Sequence, residues 1–124
     1  MRVLVDTNIL IEIVKSNANI ISEFQELLRN HTFCINPIIL AELLQGAREK
    51  EKQIISKLVE KATCLDINCE TGKQAGEYAA TYSKSHSTIT LDDFIIAASA
   101  KQHKCKFWTL NKKHFPMISK AELV

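Results

Sequence analysis

The sequence predicts an α/β fold in which a parallel sheet is covered by helices on both faces. Short apolar segments with strand character alternate along the chain with longer segments whose apolar residues recur at helical spacing, the pattern of such folds. The first short segment contains Val3, Leu4 and Val5, and an uninterrupted apolar run is typical of a strand buried on both faces. With 124 residues, the chain is expected to form one domain over 1–124.

The first strand, at residues 2–5, leads directly into a helix. Asp6 or Thr7 can cap that helix, because short oxygen-bearing side chains accept hydrogen bonds from its first amides. The apolar face of this helix is formed by Ile9, Leu10, Ile13 and Val14. Asp6 therefore stands where a strand ends and a helix begins, the position at which open α/β sheets place their functional sites. The alternative interpretation is that Asp6 is only a helix cap.

A second helix, a second strand and a third helix follow in that order. The second helix has an apolar face over 20–28, and the second strand covers 32–35. Asn36 and Pro37 predict the next helix start, with Asn as the cap and Pro at the first helical position. The third helix is expected over 38–45, where apolar residues dominate, so we expect it to be buried nearly all round.

The second half of the chain continues the alternation. Its predicted elements are a helix with its apolar face over 54–62, an edge strand or extended link at 64–67, a helix face over 75–82, a loop at 84–87, a helix over 94–100, a strand at 106–109 and a turn or short helix at 111–115. No repeat or linker interrupts this order.

Composition predicts a cytoplasmic globular protein with no membrane segment. Apolar residues make up 46% and charged residues 24% of the chain, and no apolar run is long enough to span a bilayer. An acid and two polar residues at positions 6–8 interrupt any signal-like apolar run at the N-terminus. The cysteines form no C-x-x-C pair and are expected to be buried free thiols, at Cys34, Cys64, Cys69 and Cys105.

Basic residues are concentrated at the end of the chain. Residues 101–124 contain six lysines against one acid, Glu122. A basic end of this kind can face a polyanion, and it can equally be a solvated surface. Charge alone does not decide between these interpretations.

Three acids lie in positions where local structure alone does not require a charge. Asp6 ends the first strand, Glu42 is surrounded by apolar residues of the third helix, and Asp93 begins the apolar helix after Thr90. Each has a simpler interpretation: a cap for Asp6, a thin solvent-facing stripe with Gln45 for Glu42, and a capping box with Thr90 for Asp93.

Taken together, the three acids indicate a metal site. Each is expected at a strand-to-helix junction or in the helix just after one, and in a parallel sheet such junctions meet along one edge. Carboxylates brought together repel each other unless a cation is present, and Mg²⁺ or Mn²⁺ prefers such oxygen ligands. A metal held in this way can ready a water molecule for attack on a phosphodiester.

Four short motifs are spread over the whole chain. They are Val5-Asp6-Thr7-Asn8, Ala41-Glu42-Leu43 with Gly46, Asp93-Phe94-Ile95-Ile96-Ala97-Ala98, and Thr109-Leu110-Asn111-Lys112-Lys113-His114-Phe115. In this order and at these intervals, the chain resembles the PIN-domain nucleases, and within them the VapC-type toxins of prokaryotic toxin–antitoxin pairs. The resemblance implies a three-layer α/β/α sandwich with a short, mainly parallel central sheet.

The resemblance also implies a function and a set of site residues. The expected activity is Mg²⁺- or Mn²⁺-dependent endonucleolytic cleavage of RNA, with the metal held by Asp6, Glu42 and Asp93. Asp93 rather than Asp92 is in register, because the family's acid lies three residues before the Ile of Ile96-Ala97-Ala98. One of the three acids or Asn111 would orient the attacking water. Further matches are two hydroxyl residues near the metal and a bracing amide, at Thr7, Thr109 and Asn8.

Partner chains are implied as well. A VapB-type antitoxin is expected to insert a basic side chain among the three acids, where it would stand in for the charge of the metal. A homodimer is expected to use the early helices, whose apolar residues include Ile20, Ile21 and Phe24.

One departure from the family pattern leaves a second function open. Many relatives carry a fourth acid in the segment 109–115, and this chain has none there; Asn111 or His114 occupies its place. A second metal ion is therefore not expected to be fully held. The alternative function is a PIN-like protein that binds RNA but cleaves it poorly, and further rivals are a phosphate-binding α/β domain and a purely structural domain.

Overall fold

The computed structural model describes residues 1–124 and has a four-stranded sheet at its centre. The strands lie in the order β3-β2-β1-β4, and every pairing between neighbours is parallel. Their bounds are Arg2–Val5 for β1, Thr32–Ile35 for β2, Thr63–Cys64 for β3 and Lys106–Trp108 for β4. A parallel sheet of this kind confirms the predicted α/β class.

Six α-helices surround the sheet. They are α1 (Thr7–Val14), α2 (Ala18–Asn30), α3 (Pro37–Gln45), α4 (Lys52–Glu60), α5 (Cys69–Tyr82) and α6 (Leu91–Gln102). Short 3₁₀ turns lie at Glu49–Glu51, Lys112–His114 and Lys120–Glu122. None of the helices combines the length and apolar character needed to cross a membrane.

The core lies on both faces of β1, one of the two inner strands of the sheet. Val3, Leu4 and Val5 are each at most 1% exposed, although successive residues of a strand point to opposite faces. Helices must therefore cover both sides, which confirms the layered arrangement. At the β4 edge, the backbone amide of Val124 donates to the carbonyl of Phe107 at 2.9 Å, so the chain end lies along the sheet.

Local capping signals place the helix starts correctly. The Asn36 side chain accepts from the amide of Ile39 at 2.9 Å, and α3 begins at Pro37 as predicted. Helix α5 begins earlier than its apolar face indicated, because Asn68 and Thr71 form a capping box at its start. The extended link predicted at 64–67 is reduced to the two-residue edge strand β3.

Two predictions about burial were wrong. Helix α3 is not buried all round: Ala41 and Gln45 are exposed and Leu44 is 49% exposed, because no element covers that face of the helix. Only two of the four free cysteines are buried, since Cys64 lies on the short edge strand and Cys69 opens α5 at the surface.

Candidate active site

An open pocket of about 320 Å³ lies at the carboxyl ends of the strands. Asp6, Glu42, Asp93 and Asn111 all line it, so the structure brings these four predicted site residues together. The remaining lining residues are Thr7, Asn8, Ile11, Gln45 and Phe115. Two somewhat larger pockets exist elsewhere, but neither gathers several carboxylates against the end of the central strand.

Asp6 is both a helix cap and the most enclosed acid of the pocket. It is 6% exposed, and its Oδ1 accepts from the Thr7 amide at 2.8 Å. Its Oδ2 accepts from the Thr109 hydroxyl at 2.8 Å and from the side-chain nitrogen of Asn8 at 3.3 Å. The cap interpretation is therefore correct, and it does not exclude a role in the pocket.

Burial raises the pKa of Asp6 above its ordinary value of 3.8. Desolvation is the largest cause, because it disfavours the charged form. Hydrogen bonds from Thr109 and Thr7 counteract part of this rise, and the negative charge of Asp93 adds to it. The contacts of Asp6 within the chain therefore offset only part of the cost of burying its charge.

Asn8 and Thr109 brace Asp6 across the sheet edge. The Asn8 side-chain nitrogen donates to the Thr109 hydroxyl at 3.3 Å, and its oxygen accepts from the Leu110 amide at 3.1 Å. The Thr109 hydroxyl also accepts from the amide of Asn111 at 3.0 Å. These bonds tie the start of α1 to the segment after β4. The resemblance implied a bracing role for Asn8 and a place near the metal for Thr109.

Glu42 reaches the pocket from α3. The Thr7 hydroxyl donates to its Oε1 at 2.6 Å, and the side chain is half-buried rather than lying on a free stripe with Gln45. Burial raises the pKa of Glu42, the Thr7 bond lowers it, and the charges of Asp6, Asp92 and Asp93 raise it further. Glu42 and Asp6 therefore act on each other as like charges in one pocket.

Asp93 also combines a capping role with a place in the pocket. The Thr90 amide donates to its Oδ2 at 3.3 Å while the Asp93 amide donates to the Thr90 hydroxyl at 3.4 Å, which confirms the capping box. The expectation that its helix follows a strand was wrong, because α6 is entered from a turn and β4 comes after it. Packing of α3 against α6 places Asp93 at the pocket instead.

His114 is a contact that the sequence did not predict. Its Nδ1 lies 3.1 Å from Oδ2 of Asp93, and both side chains are largely enclosed, at 28% and 18% exposure. The sequence indicated only that Asn111 or His114 stands where a fourth acid would fall. No local signal could have shown that the imidazole meets Asp93, because 21 residues separate them.

The donors in the pocket suit a hard divalent cation. Carboxylate oxygens dominate, threonine hydroxyls support them, and no lysine or arginine forms an ion pair with the three acids. The side chains are not preassembled into a coordination shell, since no group of three or more His, Cys, Asp or Glu is close enough to hold an ion as it stands.

Known proteins with a similar sequence support a common origin over nearly the whole length. Residues 3–120 match the PIN domain family. Ribonuclease VapC1 from Haemophilus influenzae is 31% identical over 122 residues, which cover 94% of this chain and 91% of that protein.

Solved structures share the fold. One match is the crystal structure of VapBC2 from Rickettsia felis bound to a promoter DNA fragment. Its TM-score is 0.84 at 22% identity, and the match covers 100% of this chain and 96% of that one. A toxin–antitoxin complex from Klebsiella pneumoniae matches with a TM-score of 0.81 and 22% identity, covering 98% and 95%. The family match over nearly the full length and the identity to VapC1 show that this chain belongs to the PIN domain family, among its VapC-type members.

Proposed function

We propose that this protein is a metal-dependent endoribonuclease and the toxin of a toxin–antitoxin pair. The observation that carries the proposal is the pocket that Asp6, Glu42 and Asp93 line together with no lysine or arginine paired to them. Raised carboxyl pKa values at Asp6 and Glu42 are typical of functional sites. The relationship to ribonuclease VapC1 supports RNA as the substrate, and the cytoplasm is the compartment that this substrate implies.

Some residues of the pocket would hold a metal ion, and another would orient the attacking water. Asp6, Glu42 and Asp93 would hold Mg²⁺ or Mn²⁺, and the hydroxyls of Thr109 and Thr7 fix the first two carboxylates by donating to them. The ion would supply a readied water nucleophile and would offset charge on the phosphodiester. Asn111 lines the same pocket, where its side-chain oxygen can accept a hydrogen bond from the attacking water.

Lysines beside the pocket suit the RNA backbone. Lys112 and Lys113 are exposed, form no ion pair, and lie in the 3₁₀ turn that directly follows Asn111. By contrast, Lys101 is already paired with Glu122 at 2.6 Å. The basic end of the chain is therefore not uniform, and the two lysines of the turn are those we assign to phosphate contact.

Removal of metal is the direct test of this function. We expect the purified protein to cleave single-stranded RNA with Mg²⁺ or Mn²⁺ and to stop when EDTA is added, because the acids repel the phosphate without a cation. Cleavage is followed on end-labelled RNA, and binding by fluorescence anisotropy with the same RNA. Equal cleavage in EDTA would refute the metal requirement. Binding without cleavage in either metal would instead support the alternative of an RNA-binding protein.

A protein partner is part of the proposal. The solved complex from Klebsiella pneumoniae has this fold and is a toxin–antitoxin complex. An acidic pocket with no internal lysine or arginine partner also suits a basic side chain from an antitoxin. Such a side chain would compete with the metal for the same carboxylates.

A homodimer is also proposed, but through a different surface from the one that the sequence indicated. Phe24 is buried and packs edge-on against Phe33 with ring centres 5.0 Å apart, so it offers no free area. Ile20 and Ile21 are half-buried, so α2 presents less apolar surface than the sequence indicated. On α3, the exposed residues Pro37, Ala41 and Leu44 follow each other at helical spacing and form one apolar stripe. We assign the dimer contact to this stripe.

A charge placed on the α3 stripe should separate the dimer. We expect Leu44→Lys to be monomeric in light scattering after gel filtration while the parent is a dimer, since burying an unpaired ammonium group is costly. Leu28→Lys is the matched control, because Leu28 is another exposed leucine, on α2, and its substitution should leave the dimer intact. A monomeric parent at high concentration, or a dimeric Leu44→Lys variant, would contradict the assignment.

A further inference from the structure

We propose that His114 is a positioning residue that fixes the Asp93 carboxylate by one oxygen and leaves the other available to a ligand of the pocket. This inference rests on the proposed metal-dependent function and assigns to the chain a device for orienting one of its acids.

The hydrogen bonds of Asp93 are concentrated on a single oxygen. Oδ2 lies 3.1 Å from Nδ1 of His114 and accepts from the Thr90 amide at 3.3 Å. No side chain or backbone group of the protein donates to Oδ1. Since a carboxylate can only accept, the histidine contact is a hydrogen bond with the hydrogen on Nδ1. Two donors from different parts of the chain thus set the rotation of the carboxyl group.

The imidazole is held in place by the segment that carries it. His114 ends the 3₁₀ turn at Lys112–His114, and its amide donates to the carbonyl of Asn111 at 3.0 Å. The next residue, Phe115, is 2% exposed and packs edge-on against Phe107 of β4 with ring centres 4.6 Å apart. This aromatic anchor ties the turn to the sheet, so the position of His114 relative to α6 is determined by the core.

A histidine at this place also limits the repulsion within the pocket. The segment 109–115 contains no acid, and a further carboxylate there would add to the like charges of Asp6, Glu42 and Asp93. An imidazole donates a hydrogen bond without adding negative charge. The chain therefore holds Asp93 with a side chain that adds no negative charge to the pocket.

Titration calorimetry with Mn²⁺ on the metal-free protein tests this role without relying on cleavage. We expect His114→Ala to weaken Mn²⁺ binding by about tenfold or more, which is the usual cost of losing a group that orients a metal ligand. His114→Asn should recover most of the affinity, because its amide can donate from about the position of Nδ1. His114→Gln, whose amide corresponds to Nε2, should recover less. His31→Ala removes an exposed imidazole at the far end of the sheet and should bind as the parent does.

The outcomes separate the role of His114 from the proposed function. Parental Mn²⁺ affinity in His114→Ala would overturn the inference, and so would equal affinities of the Asn and Gln variants. The Asn and Gln comparison still decides if His114→Ala does not fold, because both amides are polar and similar in size. Failure of the folded parent to bind Mn²⁺ would instead refute the metal-dependent function itself, and the inference would fall with it.

Discussion

The Asp6→Asn variant is expected to lose metal-dependent RNA cleavage and yet to unfold at a higher temperature than the parent in metal-free buffer. Cleavage should fall by more than the about hundredfold loss that follows removal of a group that only orients a metal ligand, because Asp6 is proposed to hold the ion directly. Asparagine has nearly the same shape and still accepts from the Thr7 amide, but its new amide group replaces Oδ2, which accepts from Thr109 and from the Asn8 side chain. The variant therefore loses these two bonds together with the charge, and the raised pKa of Asp6 indicates that the buried charge costs more than its hydrogen bonds return.

The gain in stability follows from the raised pKa of Asp6. The folded protein binds the carboxyl proton of Asp6 more tightly than the unfolded chain does, so this proton stabilises the fold. Its contribution to stability is complete below the ordinary pKa of 3.8. It is lost as the pH rises through the higher folded value, so at neutral pH the ionised group destabilises the metal-free parent. Asp6→Asn should therefore flatten the fall in stability with rising pH.

Thermal melts from pH 4 to pH 8 in EDTA, together with cleavage assays in Mg²⁺, check both parts of this prediction. Asp66→Asn is the control, since Asp66 is exposed and does not line the acidic pocket. An Asp6→Asn protein that melts well below the parent in EDTA would indicate that Asp6 serves mainly as a cap. Retained cleavage in the same variant would remove Asp6 from the proposed site.

The same substitution should affect cleavage far more at Asp93 than at the neighbouring Asp92. Asp93→Asn is expected to abolish Mg²⁺-dependent cleavage, whereas Asp92→Asn should keep at least about a tenth of it. Asp92 is exposed and absent from the pocket lining, so only its screened charge reaches Glu42. Adjacent helical residues lie about 100° apart around the axis, which prevents both from facing the pocket equally.

The contacts of Asp93 allow asparagine to replace it without loss of a hydrogen bond. Both of its donors, Thr90 N and His114 Nδ1, meet the same oxygen, so the single carbonyl oxygen of asparagine can accept from both. We therefore expect Asp93→Asn in EDTA to be as stable as the parent or more so, and its loss of cleavage to reflect the charge alone. Asp93→Ala, in contrast, loses the cap and should cost about 1 kcal/mol. An Asp93→Asn variant that cleaves RNA normally would show that Asp93 is only a cap.

Capping and site roles coincide in this protein for a physical reason. The positive end of a helix dipole and its free amides favour a carboxylate at the first turn, and here the starts of α1 and α6 both lie at the pocket, α1 directly after β1 and α6 through its packing against α3. Asp6 and Asp93 each accept a hydrogen bond from a backbone amide at the start of a helix, and the same two side chains line the pocket. The simpler interpretation of each acid was therefore correct without being complete.

Local patterns in the sequence were enough to determine most of the elements of this protein. The apolar run of β1, the caps at Asn36 and Thr90, and the strand at 106–109 all appear at or within one residue of the predicted places. The motifs in their order also indicated the family, and they indicated three acids at one edge of a parallel sheet. Each of these features depends on residues close together in the chain, whose backbone preferences and spacing can be read directly.

Only the tertiary structure decided which side chains meet and which surfaces stay open. The bonds between Thr109 and Asp6, Thr7 and Glu42, and His114 and Asp93 join residues 103, 35 and 21 positions apart. The free face of α3 and the exposure of Cys64 likewise depend on which elements pack beside them. Periodicity determines which face of an element is apolar, but the partner of that face, and the side chain that reaches an acid, depend on how the helices pack around the sheet.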